Sequence, residues 1–498
     1  MVMKPPAFSV IILISVFLLF GCGEKPPTID GIWKCTPETS IKFPNGTLEP
    51  VMMIRDDPGQ GLTARGCFLW DGFYHDAWML VSIHYNDSSK QLTIFDGDDD
   101  RFVGQLDEKM DSISGFVYSG DPENTVPMDK LDFVRADEHL ASRLFYPRQP
   151  RHKGSIAPIY SAPPSMEDGL NTASLLDYTK DTAAFNELMD RIIKQEFGRL
   201  ESLLIMKDGQ LIVEEYFYDY DRTELHNIHS CTKSIASLLL GIAMDQNGEI
   251  VLGKPISGFL PGYDSLFTDS KGKITLEHLL TMTSGLMVDD IPERDEHPDQ
   301  LRNILSLPLG SEPGESFQYN NDNSILLGGI LYRMAGKHAD QIASQFLFGP
   351  LGISTFQWEI NNGLPQCHSD LWMLPRDMAK IGQLVLNDGK WGNEQVVPLS
   401  WVQKSTRPQV VESEFYDYGY HWWHRSADNK PWWERPDSIS NEENDMVVAM
   451  GFGGQYIMIV RELNMVVVTT ASDFSSGHLA RSKIPLVVEE IIPLLSAF

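Results

Sequence analysis

Basic side chains are scarce in this chain, and their scarcity limits what it can bind. The 498 residues include 40 Lys and Arg against 69 Asp and Glu, which gives a formal net charge of −29. Proteins hold nucleic-acid phosphates with clustered Lys and Arg, and a strongly acidic surface repels such polyanions. The composition therefore excludes nucleic acid from the expected partners.

Cysteine is also scarce, and neither Cys-x-x-Cys nor His-Glu-x-x-His occurs in the sequence. These spacings bring metal ligands together, so nothing in the sequence predicts a metal site, and no organic cofactor is expected. Of the five cysteines, Cys35 and Cys67 lie in the same N-terminal region. In an oxidising compartment these two thiols could form a disulfide.

The apolar stretch near the start of the chain is too short to span a membrane comfortably. It runs from Phe8 to Phe20, follows Lys4, and is typical of an export signal. Leu19-Phe20-Gly21-Cys22 resembles the bacterial lipobox, in which the cysteine is lipidated, although Phe20 stands where a small residue is usual. Residues 1–22 are predicted to be a signal peptide. The mature protein is expected to be periplasmic or at the cell surface, anchored to a bacterial membrane through lipidated Cys22. Secretion and an uncleaved anchor are the alternatives.

Two folded regions are expected after this segment. Residues 23–150 contain short strand-like runs separated by Gly, Asp, Asn and Pro, a spacing typical of a small all-β domain, here a lipocalin-like one. Residues 151–168 are rich in Pro and lack periodicity, which indicates a linker. In residues 169–498, strand-like runs at both ends enclose a mainly helical stretch. This order predicts an α+β fold, with one antiparallel sheet built from both ends and a helical lobe inserted between them.

The candidate chemistry centres on Ser230 and Lys233, where a polar stretch changes to the apolar run 235–244. That change predicts the first turn of a buried helix. Residues three apart share one helix face, so the lysine amine can reach the serine hydroxyl and take its proton. Cys231 lies on another side of the helix and is interpreted as packing. The nucleophile-elbow pattern Gly-x-Ser-x-Gly does not occur, which disfavours an α/β-hydrolase.

Three short motifs resemble those of the serine β-lactamase and penicillin-binding-protein superfamily. The nearest branch is that of class C β-lactamases, esterases and 6-aminohexanoate-dimer hydrolases. In chain order the motifs are Ser230-Cys231-Thr232-Lys233, Tyr319-Asn320-Asn321 and Gly451-Phe452-Gly453-Gly454-Gln455. The resemblance covers about residues 170–498 and implies the β-lactamase/transpeptidase-like fold for that part of the chain.

The resemblance implies catalytic roles for residues of the first two motifs. Ser230 would be the nucleophile that forms an acyl-enzyme. Lys233 would take the proton of Ser230, and Tyr319 would be the second proton carrier, which delivers it to the leaving group. Asn321 would hydrogen-bond Lys233 or the substrate amide.

The third motif is expected to bind the substrate. The backbone N–H groups of Ser230 and Gln455 would form the oxyanion hole, while Gly453 and Gly454 would let substrate and backbone approach closely. Relatives that act on carboxylate-bearing substrates commonly place Lys or His at the head of this motif. Phe452 stands there in this chain and favours an apolar or neutral acyl group.

The sequence therefore predicts a serine hydrolase that forms an acyl-enzyme on Ser230 and cleaves a small neutral ester or amide. An esterase or a 6-aminohexanoate-dimer hydrolase would act in this way. Two alternatives stay open. One is a β-lactamase or D,D-peptidase that acts on β-lactams or peptidoglycan peptides, and the other is a catalytically idle protein that binds cell-wall fragments.

Overall fold

The computed structural model covers most of the chain after the predicted signal segment. It describes residues 29–43, 46–57, 61–70, 73–95, 101–118, 126–145, 147–148, 160–248, 251–287, 299–413, 416–426, 445–474 and 483–496. The predicted signal peptide with Cys22, and the predicted linker up to residue 159, lie outside the described residues. No helix in the described ranges is both long and apolar enough to cross a membrane.

The N-terminal region is a closed antiparallel sheet. Its strands are β1 (Gly31–Cys35), β2 (Ile41–Phe43), β3 (Gly46–Asp57), β4 (Gly61–Trp70), β5 (Phe73–Asn86), β6 (Gln91–Phe95), β7 (Arg101–Leu106), β8 (Ser112–Tyr118) and β9 (Asp129–Ala136). They pair in the order β1-β9-β8-β7-β6-β5-β4-β3, and β3 also pairs with β1, which closes the ring. Closure leaves the ring without the unpaired edges of an open sheet. The prediction of a small all-β domain is confirmed.

Alternate side chains along each strand point into the ring and fill it. In β8, buried and more exposed residues alternate, with Ile113 and Val117 fully buried. Trp33 on β1 is also fully buried, and its indole N–H donates to the carbonyl oxygen of Ile29 at 3.1 Å. The interior is therefore a packed apolar core, as a strand period of two predicts.

The disulfide between Cys35 and Cys67 that the sequence left open is not formed in the structure. Both residues are buried in the described structure, which does not join them. Cys35 on β1 packs inside the ring with Trp33, whereas Cys67 on β4 packs outside it with Val51 and Leu144. A disulfide needs Cβ atoms about 4 Å apart. β3 lies between β1 and β4, and neighbouring strands are about 4.8 Å apart, so the two cysteines are two strand spacings apart. Their side chains also point to opposite faces of the sheet.

The second region contains a sheet built from both of its ends. The remaining strands are β10 (Asn171–Thr172), β11 (Leu200–Lys207), β12 (Gln210–Tyr216), β13 (His226–Asn227), β14 (Phe356–Trp358), β15 (Ile360–Asn361), β16 (Leu364–Pro365), β17 (Leu371–Met373), β18 (Lys390–Trp391), β19 (Glu394–Gln395), β20 (Val410–Val411), β21 (Asp417–Tyr418), β22 (Trp423–Ser426), β23 (Asp445–Gly451), β24 (Gln455–Val460) and β25 (Met465–Ala471). The main sheet has the order β10-β12-β11-β25-β24-β23-β22-β21-β20, and its long strands are antiparallel.

Helices lie between and around these strands. They are α1 (Glu138–Phe145), α2 (Thr182–Ile193), α3 (Cys231–Asn247), α4 (Leu276–Leu280), α5 (Gln300–Ser306), α6 (Asn321–Ala335), α7 (Ala339–Ile342), α8 (Pro375–Leu386), α9 (Leu399–Ser405) and the C-terminal turns Lys483–Pro485, Leu486–Ile491 and Ile492–Ser496. One face of the main sheet packs on α3 and α8, and the other packs on α2 and the C-terminal turns. The predicted α+β fold with a helical lobe between the two ends of the sheet is confirmed.

Burial of α3 positions the candidate site. Every residue from Cys231 to Met244 is buried, so this helix runs through the core between the sheet and the helical lobe. At its first turn the Cys231 thiol donates to the carbonyl oxygen of Gln455 on β24 at 3.4 Å. The start of the helix and the start of the strand therefore meet.

Candidate active site

Ser230 lies immediately before α3 and is half-buried. His229, just before it, adopts a left-handed conformation with φ of 46°. The backbone N–H of His229 donates to Oδ1 of Asn227 at 2.9 Å, which holds this uncommon turn. Ser230 is therefore presented at the N-terminal end of a buried helix, where backbone N–H groups and the helix dipole favour negative charge.

Lys233 lies one helical turn after Ser230 and is almost fully buried. Its Nζ is 3.0 Å from Ser230 Oγ, 2.8 Å from Asn321 Oδ1 and 2.7 Å from the carbonyl oxygen of His368. Burial disfavours the ammonium form and lowers the pKa of Lys233 to about 7. Near neutral pH a large fraction of this lysine is thus an uncharged amine that can accept a proton.

Tyr319 and Asn321 reach the pair from the start of α6. The side-chain oxygen of Asn320 accepts the backbone N–H of Asp322 at 2.9 Å and caps this helix. The Tyr319 ring centroid is 4.9 Å from Lys233 Nζ. Burial raises the pKa of Tyr319 well above its usual value, which keeps the phenol protonated at neutral pH.

The turn between β23 and β24 carries the third motif. Gly453 and Gly454 have φ of 80° and 101°, a region that favours glycine. A Cβ atom at position 454 would lie 2.9 Å from the Ala471 side chain, and one at position 453 would lie 2.3 Å from the Phe474 ring. The Gln455 side chain is buried and accepts the backbone N–H of Ala471 at 3.2 Å. These contacts hold the backbone of the motif, whose oxyanion role stays a prediction.

Aromatic rings lie on two sides of this cluster. Tyr319 stacks on Trp423 with ring centroids 5.6 Å apart, and Trp423 makes an edge contact with Tyr418 at 4.8 Å. On the side of the third motif, Phe452 is 58% exposed and lies 6.0 Å from the His229 ring, centroid to centroid. The exposed Phe452 ring therefore forms an apolar surface next to the turn that carries His229 and Ser230.

Three polar residues that the sequence analysis did not select also lie here. The carbonyl group of His368 accepts a hydrogen bond from Lys233, and Asp370 accepts one from Nδ2 of Asn227 at 3.0 Å. His421 is buried, with Nδ1 3.3 Å from the carbonyl oxygen of Lys233. They come from segments far along the chain, and no local spacing links them to Ser230. The sequence contains no signal that would have found them.

The part of the chain that carries this site matches a known protein family. A model of the β-lactamase family matches residues 190–490, which is more than half of the chain. The chain belongs to the β-lactamase family. The match begins in α2 and ends in the C-terminal turns. Within this β-lactamase domain lie α3, α6 and the β23–β24 turn, the elements that carry the three motifs.

The relatives found by the sequence comparison are distant from this chain. Protein flp of Staphylococcus aureus (strain MRSA252) is 27% identical over 175 residues, which cover 32% of this chain and 35% of that protein. The match thus spans about a third of the length of this relative. The 6-aminohexanoate-dimer hydrolase of Paenarthrobacter ureafaciens is 19% identical over 299 residues, which cover 55% of this chain and 72% of that hydrolase.

A crystal structure shares the fold. It comes from Bacteroides dorei DSM 17855 and is provisionally described as a β-lactamase. The two chains align with a TM-score of 0.53 and 19% identity over 64% of this chain and 99% of the other. At this identity the likeness shows the fold alone.

Proposed function

We propose that this member of the β-lactamase family is a serine hydrolase that forms an acyl-enzyme on Ser230 and cleaves a neutral ester or amide. The observation that carries the proposal is the set of partners around Lys233 Nζ. Asn321 Oδ1 and the carbonyl oxygen of His368 can only accept hydrogen bonds. A neutral amine that donates one N–H to each of them directs its lone pair at the Ser230 hydroxyl, as a general base must.

The proposed reaction moves one proton across the site. Ser230 Oγ attacks the acyl carbon while its proton passes to Lys233. Tyr319, which is protonated at neutral pH, donates a proton to the leaving group and is reprotonated from Lys233. The carbonyl oxygen of the substrate becomes negative at the N-terminal end of α3, and the backbone N–H groups of Ser230 and Gln455 are proposed to stabilise it. Water then releases the acyl group by the same steps.

Labelling with a fluorophosphonate tests the nucleophile. We expect wild-type protein to be labelled and Ser230→Ala to lose both labelling and turnover, because the activated hydroxyl is gone. Cys231→Ala is the matched control, since Cys231 is buried and its thiol points to Gln455. Burial also raises the pKa of that thiol, which keeps it unreactive. Labelling that survives Ser230→Ala would overturn the assignment, and a wild-type protein that is never labelled would support an idle binding protein.

A neutral substrate is proposed from the surface beside Ser230. Phe452 offers no charge and no hydrogen bond to a substrate carboxylate, although carboxylates are common to β-lactams and peptidoglycan peptides. Its exposed ring and the ring of Trp423 suit an apolar acyl or leaving group instead. The relative named 6-aminohexanoate-dimer hydrolase supports a hydrolase that is not a β-lactamase in function.

The substrate class is tested by the ratio of two kcat/KM values, one for a neutral p-nitrophenyl ester and one for a chromogenic cephalosporin. We expect the wild-type ratio to favour the ester. Phe452→Lys should move the ratio toward the cephalosporin, and Phe452→Leu, which keeps an apolar side chain, should not. A wild-type enzyme that strongly prefers the cephalosporin would contradict the neutral-substrate proposal and favour a β-lactamase.

Export and lipid anchoring are also proposals. The apolar segment from Phe8 to Phe20 and the lipobox-like sequence that ends at Cys22 support them. Both lie outside the residues that the structure describes. In this proposal the hydrolase acts outside the cytoplasm on small molecules that reach the cell envelope.

A further inference from the structure

A carboxylate that belongs to none of the three motifs is built into the Ser230 site. Asp370 directly precedes β17, and the end of β13 pairs with this strand through Asn227 and Trp372. Asn227 Nδ2 donates to Asp370 Oδ1 at 3.0 Å, and Asn227 Oδ1 accepts the backbone N–H of His229 at 2.9 Å. One amide side chain therefore links Asp370 to the turn that presents Ser230.

The segment that ends at Asp370 also touches the lysine. Two residues before Asp370, the carbonyl oxygen of His368 accepts a hydrogen bond from Lys233 Nζ at 2.7 Å. Asp370 itself has φ of 62°, a left-handed conformation that residues other than glycine adopt uncommonly, although Asp and Asn tolerate it. The hydrogen bonds of Asn227 and of the His368 carbonyl group therefore place Asp370 on the segment that borders the Ser230–Lys233 pair.

The histidines, the thiol and the phenol around Lys233 are uncharged at neutral pH. Burial lowers the pKa of His229 and His368 to about 4 and that of His421 to about 3, and it raises the pKa of the Cys231 thiol and the Tyr319 phenol. Asp370 is the leading charge that raises the pKa of Lys233, and it raises those of His229 and His368 as well. Across α3, the first turn of α6 holds the buried carboxylate of Asp322, which lies at its own helix N-terminus.

We propose that Asp370 is a positioning residue for the Ser230–Lys233 pair, with two actions. Its carboxylate is the counter-charge of the Lys233 ammonium that forms when the proton leaves Ser230. Through Asn227, it also anchors the turn that presents the serine hydroxyl. This inference rests on the proposed acyl-enzyme chemistry and adds a residue outside the family motifs to it.

The test follows the rate of fluorophosphonate labelling as a function of pH in the full-length protein. In this reaction the Ser230 oxygen–phosphorus bond forms, the phosphorus–fluorine bond breaks, fluoride leaves, and the serine proton passes to Lys233. The rate therefore rises with pH as Lys233 loses its proton. Removing the Asp370 charge destabilises the ammonium, so the midpoint of this rise should fall by about one pH unit in Asp370→Asn. Asn tolerates the left-handed conformation and can still accept from Asn227, so the fold is expected to survive.

Two further variants separate charge from position. Asn227→Ala keeps the carboxylate but breaks the link to His229, so we expect slower labelling at every pH with an unchanged midpoint. Asp388→Asn is the matched control, because Asp388 is also left-handed, with φ of 53°, and pairs with Arg461 instead. Its midpoint should equal that of the wild type. Glycine adopts this φ without strain, so Asp370→Gly should reproduce the acidic shift of the midpoint seen in Asp370→Asn.

The outcomes distinguish this inference from the proposed function. A wild-type midpoint in both Asp370 variants, with normal labelling of Ser230, would overturn the role of Asp370 and leave the acyl-enzyme proposal intact. If Ser230→Ala is still labelled, both the acyl-enzyme proposal and the role of Asp370 are overturned. An acidic shift in both Asp370 variants, with no shift in Asp388→Asn, would support the role of Asp370.

Discussion

At the scale of single residues, burial shifts the pKa values of Lys233 and Tyr319 in opposite directions. Lys233 and Tyr319 have similar ordinary pKa values, near 10. Burial stabilises the uncharged form of each, so the pKa of Lys233 falls to about 7 and that of Tyr319 rises. One environment therefore produces an acceptor and a donor within one site, because the charged form is the protonated one for lysine and the deprotonated one for tyrosine.

This pairing predicts how variants combine. Lys233→Ala and Tyr319→Phe should each lower kcat/KM by about two to four orders of magnitude, the usual contribution of a positioned acid or base. The double variant should lose less than the product of the two losses, since both groups move the same proton. Steady-state kinetics on the neutral ester measures all three.

Tyr332→Phe is the control for the loss of a phenol. Tyr332 is on the same helix, α6, but near its other end, where it stacks on His338. The activity of Tyr332→Phe should equal that of the wild type. Independent, fully multiplicative losses at Lys233 and Tyr319 would argue that the two groups serve separate steps.

At the scale of secondary-structure elements, the turn between β23 and β24 is supported by residues at and after the end of β25. Gly454 lies against Ala471 and the Lys483 side chain, and Lys483 forms a buried ion pair with Asp473. The backbone N–H of Asp473 in turn donates to the carbonyl oxygen of Gly453 at 3.0 Å. The position of the predicted oxyanion donor at Gln455 therefore depends on contacts made across the sheet.

Alanine substitutions test how rigid this support is. Gly454→Ala would place a Cβ 2.9 Å from both Ala471 and Lys483, at φ of 101°. We expect a loss of about 2–4 kcal/mol in unfolding free energy, from backbone strain and overpacking together, and slower labelling of Ser230. Urea denaturation measures the stability.

Gly209→Ala is the control for Gly454→Ala, because it introduces backbone strain without overpacking. Gly209 has φ of 75°, and a Cβ there would meet nothing within 4 Å. Its cost should be about 1 kcal/mol, with normal labelling. Equal losses of stability in the two variants would show that the β23–β24 turn adjusts to the added methyl group.

At the scale of the whole molecule, α1 joins the closed N-terminal sheet to the β-lactamase domain. The buried guanidinium of Arg199 donates to the carbonyl oxygens of Leu144 and Arg143, at 2.6 and 2.7 Å, at the end of α1. The backbone N–H of Arg199 donates to Asp473 Oδ1 at 2.8 Å, next to the third motif. The two regions are therefore connected by buried polar contacts that continue to the candidate site.

Location is a property of the whole protein and depends on its N-terminal segment. If Cys22 is lipidated, Cys22→Ser should move the protein from the membrane fraction to the soluble fraction without changing its activity. Cys35→Ser keeps Cys22 and tests for an unspecific effect of losing a thiol. Unchanged membrane association of Cys22→Ser would favour an uncleaved anchor, and a soluble wild-type protein would favour ordinary secretion.

The sequence alone determined the features that depend on neighbours along the chain. Ser230 and Lys233 are three residues apart, and helix geometry then requires them to share a face, as the 3.0 Å contact shows. The order of strand-like and helix-like stretches predicted both folded regions, because alternation and capping are local properties. The likeness of the three motifs to those of known enzymes identified the family before any contact between them was known.

Only the tertiary structure decided what depends on residues far apart in sequence. Lys233 and His368 are 135 positions apart, and the pKa of the lysine depends on how completely the intervening chain removes water. The faces of Cys35 and Cys67 follow from the strand register of the closed sheet, which composition does not specify. Asp370 reaches the site because β17 pairs with β13, a long-range contact for which the sequence contains no local pattern.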